Sequence, residues 1–592
     1  MNILGLNINH ADTSATLIVG NEIVASVEEE RFKRTKHYAG FPYESISYCL
    51  NKKKIKISDL DYLCLNFDRK SNFKQKLKFV LKNFYRPNVF KRVLKRTRNF
   101  NSDQDLINYL KKNEFKGQII NIDHHLSHMS SSFFCSPYEN AVGLTLDGFG
   151  DFVSTESFIC QENKIQSLKK VFFPHSLGIL YQSITQLLGF KNYGDEYKVM
   201  GLAPYGENNY ASEFNELIKV SEHNYFMLNL DYFRHHKSSD FSSFKLVHNA
   251  PVFENLYSKK IYDLFKIDER NGGNLEKKHF DIAFSLQKKF EGVVISILNS
   301  LYEKYKINNL CLAGGCALNS KFNGLITKKT NFKNVFIQPN AGDAGGSLGS
   351  SLMCSQLKSN SKKINYNFNV YSGPTYSDEY IENNLIKNIN QRKDLNIQYY
   401  SKENTDLLNH YVAEQISNSK IIGWFKNSCE WGPRALGNRS ILADPRNPNI
   451  KNIINAKIKL RESFRPFAPA ILEKFADEYF YMLDEKNSPF MLKIFKAREL
   501  AKRTIPSVVH VDDTCRVQTV NKQNNEEFYN LIDKFYQLTQ TPVILNTSFN
   551  ENEPIVLTPN EAFDCFDRTD MDIISLQNWV IEKKSDESNT HN

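Results

Sequence analysis

The spacing of apolar and polar residues predicts short β-strands that alternate with longer helices. Near the N-terminus, two apolar runs over 15–19 and 23–27 flank Gly20-Asn21 and predict a β-hairpin. The same reasoning predicts further strands over 62–65, 118–120, 141–146, 155–159, 309–312 and 334–337. Apolar residues at helical spacing fill the intervals, most clearly over 180–188 and 282–304. This alternation predicts an α/β fold whose ligands bind at the carboxyl ends of the strands.

The chain of 592 residues is too long for a single hydrophobic core, so we expect at least two domains. A polar stretch over 356–366 predicts a linker, which we place at 356–372, between a first domain at 1–355 and a second at 373–582. Apolar runs predict strands of the second domain over 421–424, 507–511 and 542–545. The polar tail over 583–592 is predicted to be disordered.

The composition is that of an ordinary globular enzyme, with 41% hydrophobic and 24% charged residues. No apolar run reaches the roughly 18 residues that a membrane-spanning helix needs, and the first residues read as a strand, not a signal peptide. The ten cysteines show no CxxC spacing, which favours free thiols in a reducing compartment. We therefore expect a cytoplasmic protein.

The net charge of +10 is confined to one segment. Twelve Lys or Arg residues and no acidic residue lie between Arg69 and Phe100, and the remaining chain carries a formal charge of −2. Within this segment, apolar residues recur at helical intervals and predict a basic amphipathic helix: Phe73, Leu77, Val80, Leu81 and Phe84. The segment is either a solvated helix face or a contact with an anionic membrane surface or an anionic acceptor.

Two histidines and a carboxylate are the first candidates for chemistry. His124 and His128 are four residues apart, so on a helix both imidazoles leave the same face, as in His pairs that share a divalent metal. His125 and His128 form an alternative pair, and core or surface histidines remain a third interpretation. Asp147 follows the apolar run over 141–146 and is expected at the end of a buried strand.

Two glycine turns follow later in the chain. Gly314 and Gly315 separate a predicted strand from a helix, where backbone amides can face phosphate, and we take them together with Asn319 as candidate nucleotide-binding residues. Asp343 lies at the centre of a second glycine turn over 340–349. It either completes the coordination of a metal or caps a helix.

Further candidates lie at the first hairpin and in the second domain. His10 occupies the hairpin mouth and is either a general base or a turn residue. In the second domain, cations beside Gly, Pro and aromatic residues suit a phosphate or carbamoyl group better than a solvated face, and small polar side chains follow a strand. The candidates there are Arg434, Lys459, Arg465, Arg516, Asn546 and Ser548.

Together these motifs resemble the O-carbamoyltransferases that modify nodulation factors, cephem antibiotics and aminoglycosides. The resemblance covers nearly the whole chain in order. It runs through the His10 turn, Glu28-Glu29-Glu30-Arg31-Phe32, the segments 124–128, 147–151, 176–178 and 196–203, both glycine turns and the second-domain blocks. One departure is Glu551-Asn552-Glu553-Pro554, where the family usually has Gly before Glu-Pro.

The resemblance implies an actin-like ATPase fold for the first domain, as in the threonylcarbamoyl transferase of tRNA modification. It implies that the second domain is an α/β domain similar to the partner that makes threonylcarbamoyl-adenylate. It also implies a reaction in two stages. Carbamoyl phosphate yields carbamate, which attacks the α-phosphorus of ATP to give carbamoyl-adenylate and pyrophosphate. An acceptor hydroxyl then takes the carbamoyl group in the first domain, and AMP leaves.

The resemblance also assigns roles to the candidate residues. The second-domain set would bind carbamoyl phosphate and ATP, with Mg²⁺ accompanying ATP. His10 would take the proton of the acceptor hydroxyl. His124, His128, Asp147 and Asp343 would hold a metal, Fe²⁺ by analogy, although the same donors suit Mn²⁺ or Zn²⁺.

The expected acceptor is a sugar-like small molecule or a glycan with a free hydroxyl. No nucleic acid is expected as a partner, while a peripheral membrane contact through 69–100 and a homodimer remain open. Two alternatives stand beside the O-carbamoyltransferase. One is a tRNA-modifying carbamoyl transferase, and the other is a glycan-binding protein of the same fold that has lost its catalytic activity.

Overall fold

A computed structural model describes residues 1–83, 104–221, 223–237, 245–270, 272–359, 363–364, 366–482, 485 and 487–584. The chain forms two compact units, Met1–Asn369 and Val370–Asn592. Phe84 and the rest of the basic segment to Phe100 lie outside the described residues. Of the tail predicted over 583–592, residues 585–592 also lie outside them, whereas Lys583 is the last residue of a strand and not disordered.

The first unit is built on two five-stranded sheets. Its strands are β1 (Asn2–Asn7), β2 (Ser14–Val19), β3 (Glu22–Glu28), β4 (Tyr62–Leu65), β5 (Gln118–Asn121), β6 (Asn140–Gly150), β7 (Val153–Gln161), β8 (Lys164–Phe172), β9 (Ile218–Ser221), β10 (Tyr225–Leu228), β11 (Lys245–Val247), β12 (Ala250–Val252), β13 (Asn309–Ala313) and β14 (Asn334–Ile337). The first sheet has the order β3-β2-β1-β4-β5, and the second has the order β8-β7-β6-β13-β14. The four remaining strands form two small hairpins, β9 with β10 and β11 with β12.

The two large sheets follow the same plan. In each, the first three strands in the chain pair antiparallel, and the next two lie parallel beside the first. This duplicated arrangement confirms the α/β class and the actin-like form expected of the first domain. The predicted N-terminal hairpin is confirmed as β2 and β3, and the predicted limits of β4 and β14 coincide with those of the structure.

Helices cover and connect these sheets. Those of the first unit are α1 (Glu29–Lys33), α2 (Tyr43–Lys53), α3 (Phe73–Lys82), α4 (Gln104–Lys112), α5 (His124–Phe133), α6 (Leu177–Leu187), α7 (Glu196–Leu202), α8 (Ala211–Leu217), α9 (Lys260–Phe265), α10 (Lys277–Tyr305), α11 (Ser320–Asn323), α12 (Ile326–Lys329) and α13 (Gly345–Ser359). Short 3₁₀ turns occupy Ile57–Asp59, Ala203–Tyr205, Leu230–Tyr232 and Gly315–Leu318. The two helices predicted from apolar spacing are confirmed as α6 and α10.

Helix α13 packs unusually close to α5, and a glycine permits this. A Cβ atom on Gly349 would lie 1.7 Å from the backbone oxygen of Ser127, a residue of α5. Only a residue without a side chain allows the two backbones to approach so closely. The contact matters for chemistry because α5 begins at His124 and α13 begins two residues after Asp343. The expected linker at 356–372 begins inside this helix, which continues to Ser359.

The second unit contains one eight-stranded mixed sheet of order β15-β24-β23-β16-β17-β22-β18-β21, and β19 pairs separately with β20. Its strands are β15 (Leu395–Tyr399), β16 (Ile422–Phe425), β17 (Arg439–Ala443), β18 (Ala468–Leu472), β19 (Ile494–Lys496), β20 (Thr514–Arg516), β21 (Gln518–Val520), β22 (Val543–Ser548), β23 (Ile573–Leu576) and β24 (Trp579–Lys583). A buried apolar cluster lies on each side of this sheet, which makes the second unit α/β as well.

The helices of the second unit are α14 (Asp378–Ile381), which continues through a π-helical turn (Glu382–Ile386) into α15 (Lys387–Ile389), then α16 (Thr405–Ser417), α17 (Ile450–Lys457), α18 (Ala476–Tyr479), α19 (Glu499–Thr504), α20 (Glu526–Thr539) and α21 (Pro559–Asp567). Short 3₁₀ turns occupy Lys402–Asn404, Glu473–Phe475 and Pro506–Val508.

The strand predicted over 507–511 is wrong. Pro506 begins a 3₁₀ turn there, and proline is favoured at the first position of a helix because it lacks a backbone N–H. The chain then turns at Asp513, whose φ of 59° is left-handed, and enters β20. The apolar run therefore marks a buried turn, not a strand.

Two further observations concern disulfide bonds and membrane-spanning helices. All ten cysteines are free, and eight of them are buried. Among the described residues, none of the helices combines the length and the apolar character that crossing a membrane would require.

Candidate active site

The first element of the site is the N-terminal turn of α5. The side chain of Asp123 caps this helix by accepting hydrogen bonds from the backbone N–H groups of His125 and Leu126, at 3.1 and 3.3 Å. One helical turn then separates His124 from His128, and their Nε2 atoms are 3.0 Å apart. The sequence spacing therefore brings both imidazoles to one point, as predicted.

Asp147 joins the pair from strand β6. Its pairing with β7 shifts between Leu146 and Gly150, and the carboxylate projects at this irregularity. Oδ2 of Asp147 lies 3.0 Å from Nε2 of His124 and 3.5 Å from Nε2 of His128. A Cβ on Gly150 would lie 1.9 Å from the ring of His124, so the strand can pass the imidazole only with glycine at this position.

Asp343 completes the cluster from the turn before α13. Its Oδ1 is 3.6 Å from Nε2 of His124 and 3.6 Å from Nε2 of His128, while Oδ2 lies 2.8 Å from Nδ1 of His10. Oδ1 is buried and has no hydrogen-bond partner in the described part of the chain. Asp343 therefore faces the imidazoles, and the capping role considered for it is not observed.

His125 is excluded as the second member of the pair. It is fully buried, and its ring nitrogens lie 2.8 Å from Oγ1 of Thr145 and 3.0 Å from the backbone oxygen of Val153. Burial and the neighbouring imidazoles lower the pKa of His125 to about 3, so it stays neutral. It is a hydrogen-bonded core residue that holds α5 against β6 and β7.

The imidazoles and carboxylates of this cluster shift one another's pKa values. Burial opposes the imidazolium form of His128, but the carboxylates of Asp147 and Asp343 outweigh burial and raise the pKa of His128 to about 9. Burial likewise opposes the charged form of Asp147, but hydrogen bonds with His124 and His128 hold the pKa of Asp147 well below its usual range. The cluster is thus a network of imidazoles and carboxylates in which ion pairing outweighs the cost of burying charge.

The donor set fits a divalent metal. Two atoms bound at about 2.1 Å to one ion are separated by roughly 3.0–3.4 Å, and the four imidazole–carboxylate distances here are 3.0, 3.5, 3.6 and 3.6 Å. One ligand atom from each of the four residues lies within 4.8 Å of the others. The buried, unpartnered Oδ1 of Asp343 is a further sign that a cation could be held here.

His10 lies beside this cluster at the mouth of the first hairpin. Its side chain is 43% exposed, and its Nδ1 is paired with Asp343. Partial desolvation opposes protonation, but the Asp343 carboxylate outweighs it and raises the pKa of His10 to about 9. The pairing orients the ring, as a carboxylate orients the imidazole of a general base.

A second polar group near His10 was not singled out from the sequence. Nδ1 of His37 lies 2.8 Å from Oδ1 of Asp12, and the backbone N–H of His37 donates to Glu30 at 2.9 Å. Burial raises the pKa of Glu196 to about 7, although the nearby charge of His37 opposes this rise. Asp12, Glu30 and Glu196 all lie inside motifs that carried the family resemblance, but they are scattered in the sequence. Only the fold brings them together.

The first glycine turn lies against the cluster. Gly314 follows β13 with a φ of 91°, and the backbone N–H of Gly315 donates to Oδ1 of Asp147 at 3.2 Å. Asn319 lies one 3₁₀ turn further on. Its side chain caps α11 and exchanges two hydrogen bonds with Gln287, at 2.9 and 3.1 Å.

The second unit contains a cluster of arginines. Arg516 lies at the end of β20, where burial and the charges of Arg434, Arg461 and Arg465 all lower its pKa. Its buried Nε has no hydrogen-bond partner among the residues that the structure describes. Guanidinium groups that repel one another in a partly buried place form a ready site for an anion. Arg461 belongs to this cluster and was not among the sequence candidates.

A rigid frame holds the loop that carries Arg434. One carboxylate oxygen of Glu430 accepts three backbone N–H groups, from Leu436, Asn438 and Arg439, at 2.8, 2.9 and 3.1 Å. The side chain of Asn546 donates to the backbone oxygen of Ala435 at 3.3 Å. Asn546 therefore fixes the residue next to Arg434.

Lys459 and Ser548 meet at the end of β22. Nζ of Lys459 lies 3.4 Å from Oγ of Ser548 and donates to the backbone oxygen and Oδ1 of Asn550 at 2.7 and 2.8 Å. The Asn550 side chain donates to the backbone oxygen of Glu553 at 2.7 Å, which closes the turn where the sequence departs from the family pattern. Lys459 thus stabilises this turn from inside.

Comparisons with known proteins cover both units. Residues 2–352 match the family model described as carbamoyltransferase N-terminus, and residues 413–583 match the carbamoyltransferase C-terminus. An uncharacterised protein of Synechocystis sp. is 35% identical over 98% of this chain and 96% of its own length. Nodulation protein NolNO of Sinorhizobium fredii is 34% identical over 97% of this chain and 79% of its own length. Among solved structures, component A of the Acidaminococcus fermentans (R)-2-hydroxyglutaryl-CoA dehydratase is 14% identical with a TM-score of 0.32, covering 60% of this chain and 100% of that one.

Proposed function

The chain belongs to the carbamoyltransferase family, and on that premise we propose that it is an ATP-dependent O-carbamoyltransferase working in two stages. The second unit makes carbamoyl-adenylate, and the first unit transfers its carbamoyl group to a hydroxyl. The observation that carries this proposal is the convergence of His124, His128, Asp147 and Asp343 beside His10. Family models of carbamoyltransferases match along both units, which favours this enzyme over the tRNA-modifying and non-catalytic alternatives.

In the first stage, water cleaves carbamoyl phosphate to carbamate and inorganic phosphate. A carbamate oxygen then attacks the α-phosphorus of ATP, and the bond to pyrophosphate breaks. Negative charge accumulates on the phosphoryl oxygens, and the arginine cluster supplies fixed positive charge for it. We assign this role to Arg434, Arg465 and Arg516 and add Arg461. Lys459, Asn546 and Ser548 hold the surrounding turns, and Mg²⁺ accompanies ATP.

In the second stage, the acceptor hydroxyl attacks the carbamoyl carbon, and the bond to the AMP oxygen breaks. In its neutral form, His10 takes the hydroxyl proton at Nε2, because Nδ1 is occupied by Asp343. The turn at Gly314 and Gly315 offers backbone N–H groups for the adenylate phosphate. Asn319, whose side chain is bonded to Gln287, supports this turn.

His124, His128, Asp147 and Asp343, the four-donor cluster, would hold the metal that the family resemblance implies. This metal is Fe²⁺ by analogy, and Mn²⁺ and Zn²⁺ also suit two imidazoles and two carboxylates. Such an ion would polarise the phosphate oxygens as a Lewis acid and would add positive charge that opposes protonation of His10.

The acceptor is expected to be a sugar-like molecule or glycan that presents hydroxyl donors. Asp12, Glu30 and Glu196 lie around His37, and the charge of Asp12 reaches His10, so carboxylate oxygens that accept such donors lie near the proposed base. These carboxylates would repel an acidic group on the acceptor, so the portion of the acceptor near His10 is neutral or cationic. The free thiols suit action in the cytoplasm.

The test is transfer of labelled carbamoyl groups. Purified protein is incubated with carbamoyl-labelled carbamoyl phosphate, ATP, Mg²⁺ and Fe²⁺, together with a panel of neutral, amino and acidic sugars. We expect label on a sugar only when ATP is present. His410→Ala, on an exposed helix surface of the second unit, serves as the control variant and should transfer normally. Transfer without ATP, or no transfer to any member of a broad panel, would contradict the proposal.

A further inference from the structure

Helix α3 presents an apolar row to solvent. Phe73, Leu77 and Leu81 are 64%, 47% and 62% exposed, and none of the residues of this helix is buried. Residues at i, i+4 and i+8 lie along one face, so the three side chains form a continuous row about 12 Å long. A row of large apolar side chains in water marks a surface that contacts something else.

A row of lysines runs beside it. Lys74, Lys78 and Lys82 follow the same i, i+4, i+8 spacing and lie next to the apolar row around the helix. Among the described residues, no carboxylate pairs with any of these three lysines. In the sequence, no acidic residue occurs from Arg69 to Phe100. The exposed face of α3 therefore carries an apolar row and, directly beside it, a row of positive charges.

The rest of α3 is fixed to the first unit. The ring of Phe79 packs edge-on against Phe152 and Phe173, with ring centres 5.8 and 5.1 Å away. The side chain of Asn72, just before the helix, donates to the backbone oxygen of Asp151 at 2.9 Å. The exposed row is thus not a consequence of a loose helix, because the opposite side is packed.

We propose that α3 docks this protein onto an anionic lipid bilayer. In this arrangement Phe73, Leu77 and Leu81 enter the boundary between headgroups and acyl chains, and Lys74, Lys78 and Lys82 contact anionic headgroups. An amphipathic helix with an apolar row and a lysine-rich flank binds membranes in this way. A nucleic acid would use the lysines but would leave the apolar row in water, so the observations favour the bilayer.

The docking surface also lies near the candidate active site. Oδ2 of Asp151 accepts hydrogen bonds from the backbone N–H of Asp68 at 2.7 Å and from that of His124 at 2.9 Å. The segment leading into α3 and His124 of the four-donor cluster are therefore both hydrogen-bonded to Asp151. Docking would therefore hold the four-donor cluster close to the membrane surface. This inference goes beyond the proposed function and does not depend on catalysis.

The test is sedimentation of the full chain with vesicles of phosphatidylcholine, with and without phosphatidylglycerol. We expect binding only to the anionic vesicles. The triple variant K74Q/K78Q/K82Q should bind about 100-fold more weakly, since each lysine near an anionic surface contributes roughly fivefold. The variant F73S/L77S/L81S should lose at least about 100-fold, because apolar insertion is removed. The matched control K52Q/K54Q/K56Q removes the same charge from exposed positions elsewhere in the first unit and should bind as the parent does.

Three results would overturn the proposal. The first is failure of the parent protein to bind anionic vesicles. The second is an equal loss in the K52Q/K54Q/K56Q control, which would indicate a response to net charge alone. The third is retention on RNA that F73S/L77S/L81S leaves unchanged while vesicle binding is absent, which would identify a nucleic-acid surface. Because the substituted side chains are exposed, circular dichroism of the variants should match that of the parent.

Discussion

Lowering the pH should weaken metal binding at the four-donor cluster, because protons and a metal ion compete for His128. A histidine of ordinary pKa is mostly neutral at neutral pH and binds a metal without losing a proton. The two carboxylates near His128 raise its pKa to about 9, so in the metal-free protein it is almost fully protonated near neutrality. Metal binding at Nε2 must therefore release this proton.

The magnitude follows from the raised pKa. Below about 9, each unit of pH should raise the apparent affinity by about tenfold, with one proton released for every ion bound. Above the pKa the dependence on His128 levels off. Acid weakens metal binding because protonated His128 has no lone pair at Nε2 with which to bind the metal.

Isothermal titration with Mn²⁺ in two buffers of different ionisation enthalpy measures the number of protons released. The parent should release at least one proton near neutral pH, and His128→Asn should release about one fewer and bind more weakly. His410→Asn, on an exposed helix, should leave the number unchanged. An affinity of the parent that does not change with pH, or the same proton release in His128→Asn, would refute the reasoning.

Three further predictions follow from the structure. His10→Ala should lower carbamoyl transfer by about 10²–10⁴-fold through loss of the base, while carbamoyl phosphate-dependent pyrophosphate release continues; equal loss of both, measured in parallel, would count against this role. Arg434→Ala should instead abolish pyrophosphate release, because the first stage loses a fixed charge, and undiminished release would argue against the assignment. Gly349→Ala should destabilise the first unit by about 2–3 kcal/mol, since the new Cβ would meet the backbone of Ser127 at 1.7 Å. Gly292→Ala, with no atom near its Cβ, should stabilise helix α10 by roughly 0.5–1 kcal/mol, and thermal unfolding that does not separate these two variants would contradict the packing argument.

Local patterns in the sequence predicted local structure well. Strands β4 and β14 have the predicted limits because each is a short apolar run bounded by polar residues. The spacing of His124 and His128 placed both imidazoles on one face, since α-helical periodicity alone determines that. The same periodicity could not decide between His124 and His125 as the partner of His128. That choice depends on Thr145 and Val153, which come from other strands.

Contacts between residues far apart in the sequence could not be predicted from local sequence patterns. Asp343 lies near the histidines only because α13 packs closely on α5, and the periodicity of the sequence does not predict this packing. The glycine turn around Asp343 left metal binding and helix capping as alternatives, and the resemblance to a family favoured metal binding. The group of Asp12, Glu30 and His37 went unnoticed for the same reason. The run over 507–511 was misinterpreted because β-branched residues favour strands, whereas Pro506 starts a 3₁₀ turn there.

The account depends on cleavage of ATP between its α- and β-phosphates. An ATPase of ordinary type breaks the β–γ bond and yields ADP, whereas an enzyme that makes an adenylate yields AMP and pyrophosphate. The most direct measurement is chromatography of the nucleotide products from ATP labelled at the α-phosphate, with and without carbamoyl phosphate. The account predicts that the labelled ATP is converted to carbamoyl-adenylate or AMP only when carbamoyl phosphate is supplied, and that an acceptor sugar increases the yield of AMP. Labelled ADP as the product, or AMP that forms equally without carbamoyl phosphate, would contradict it.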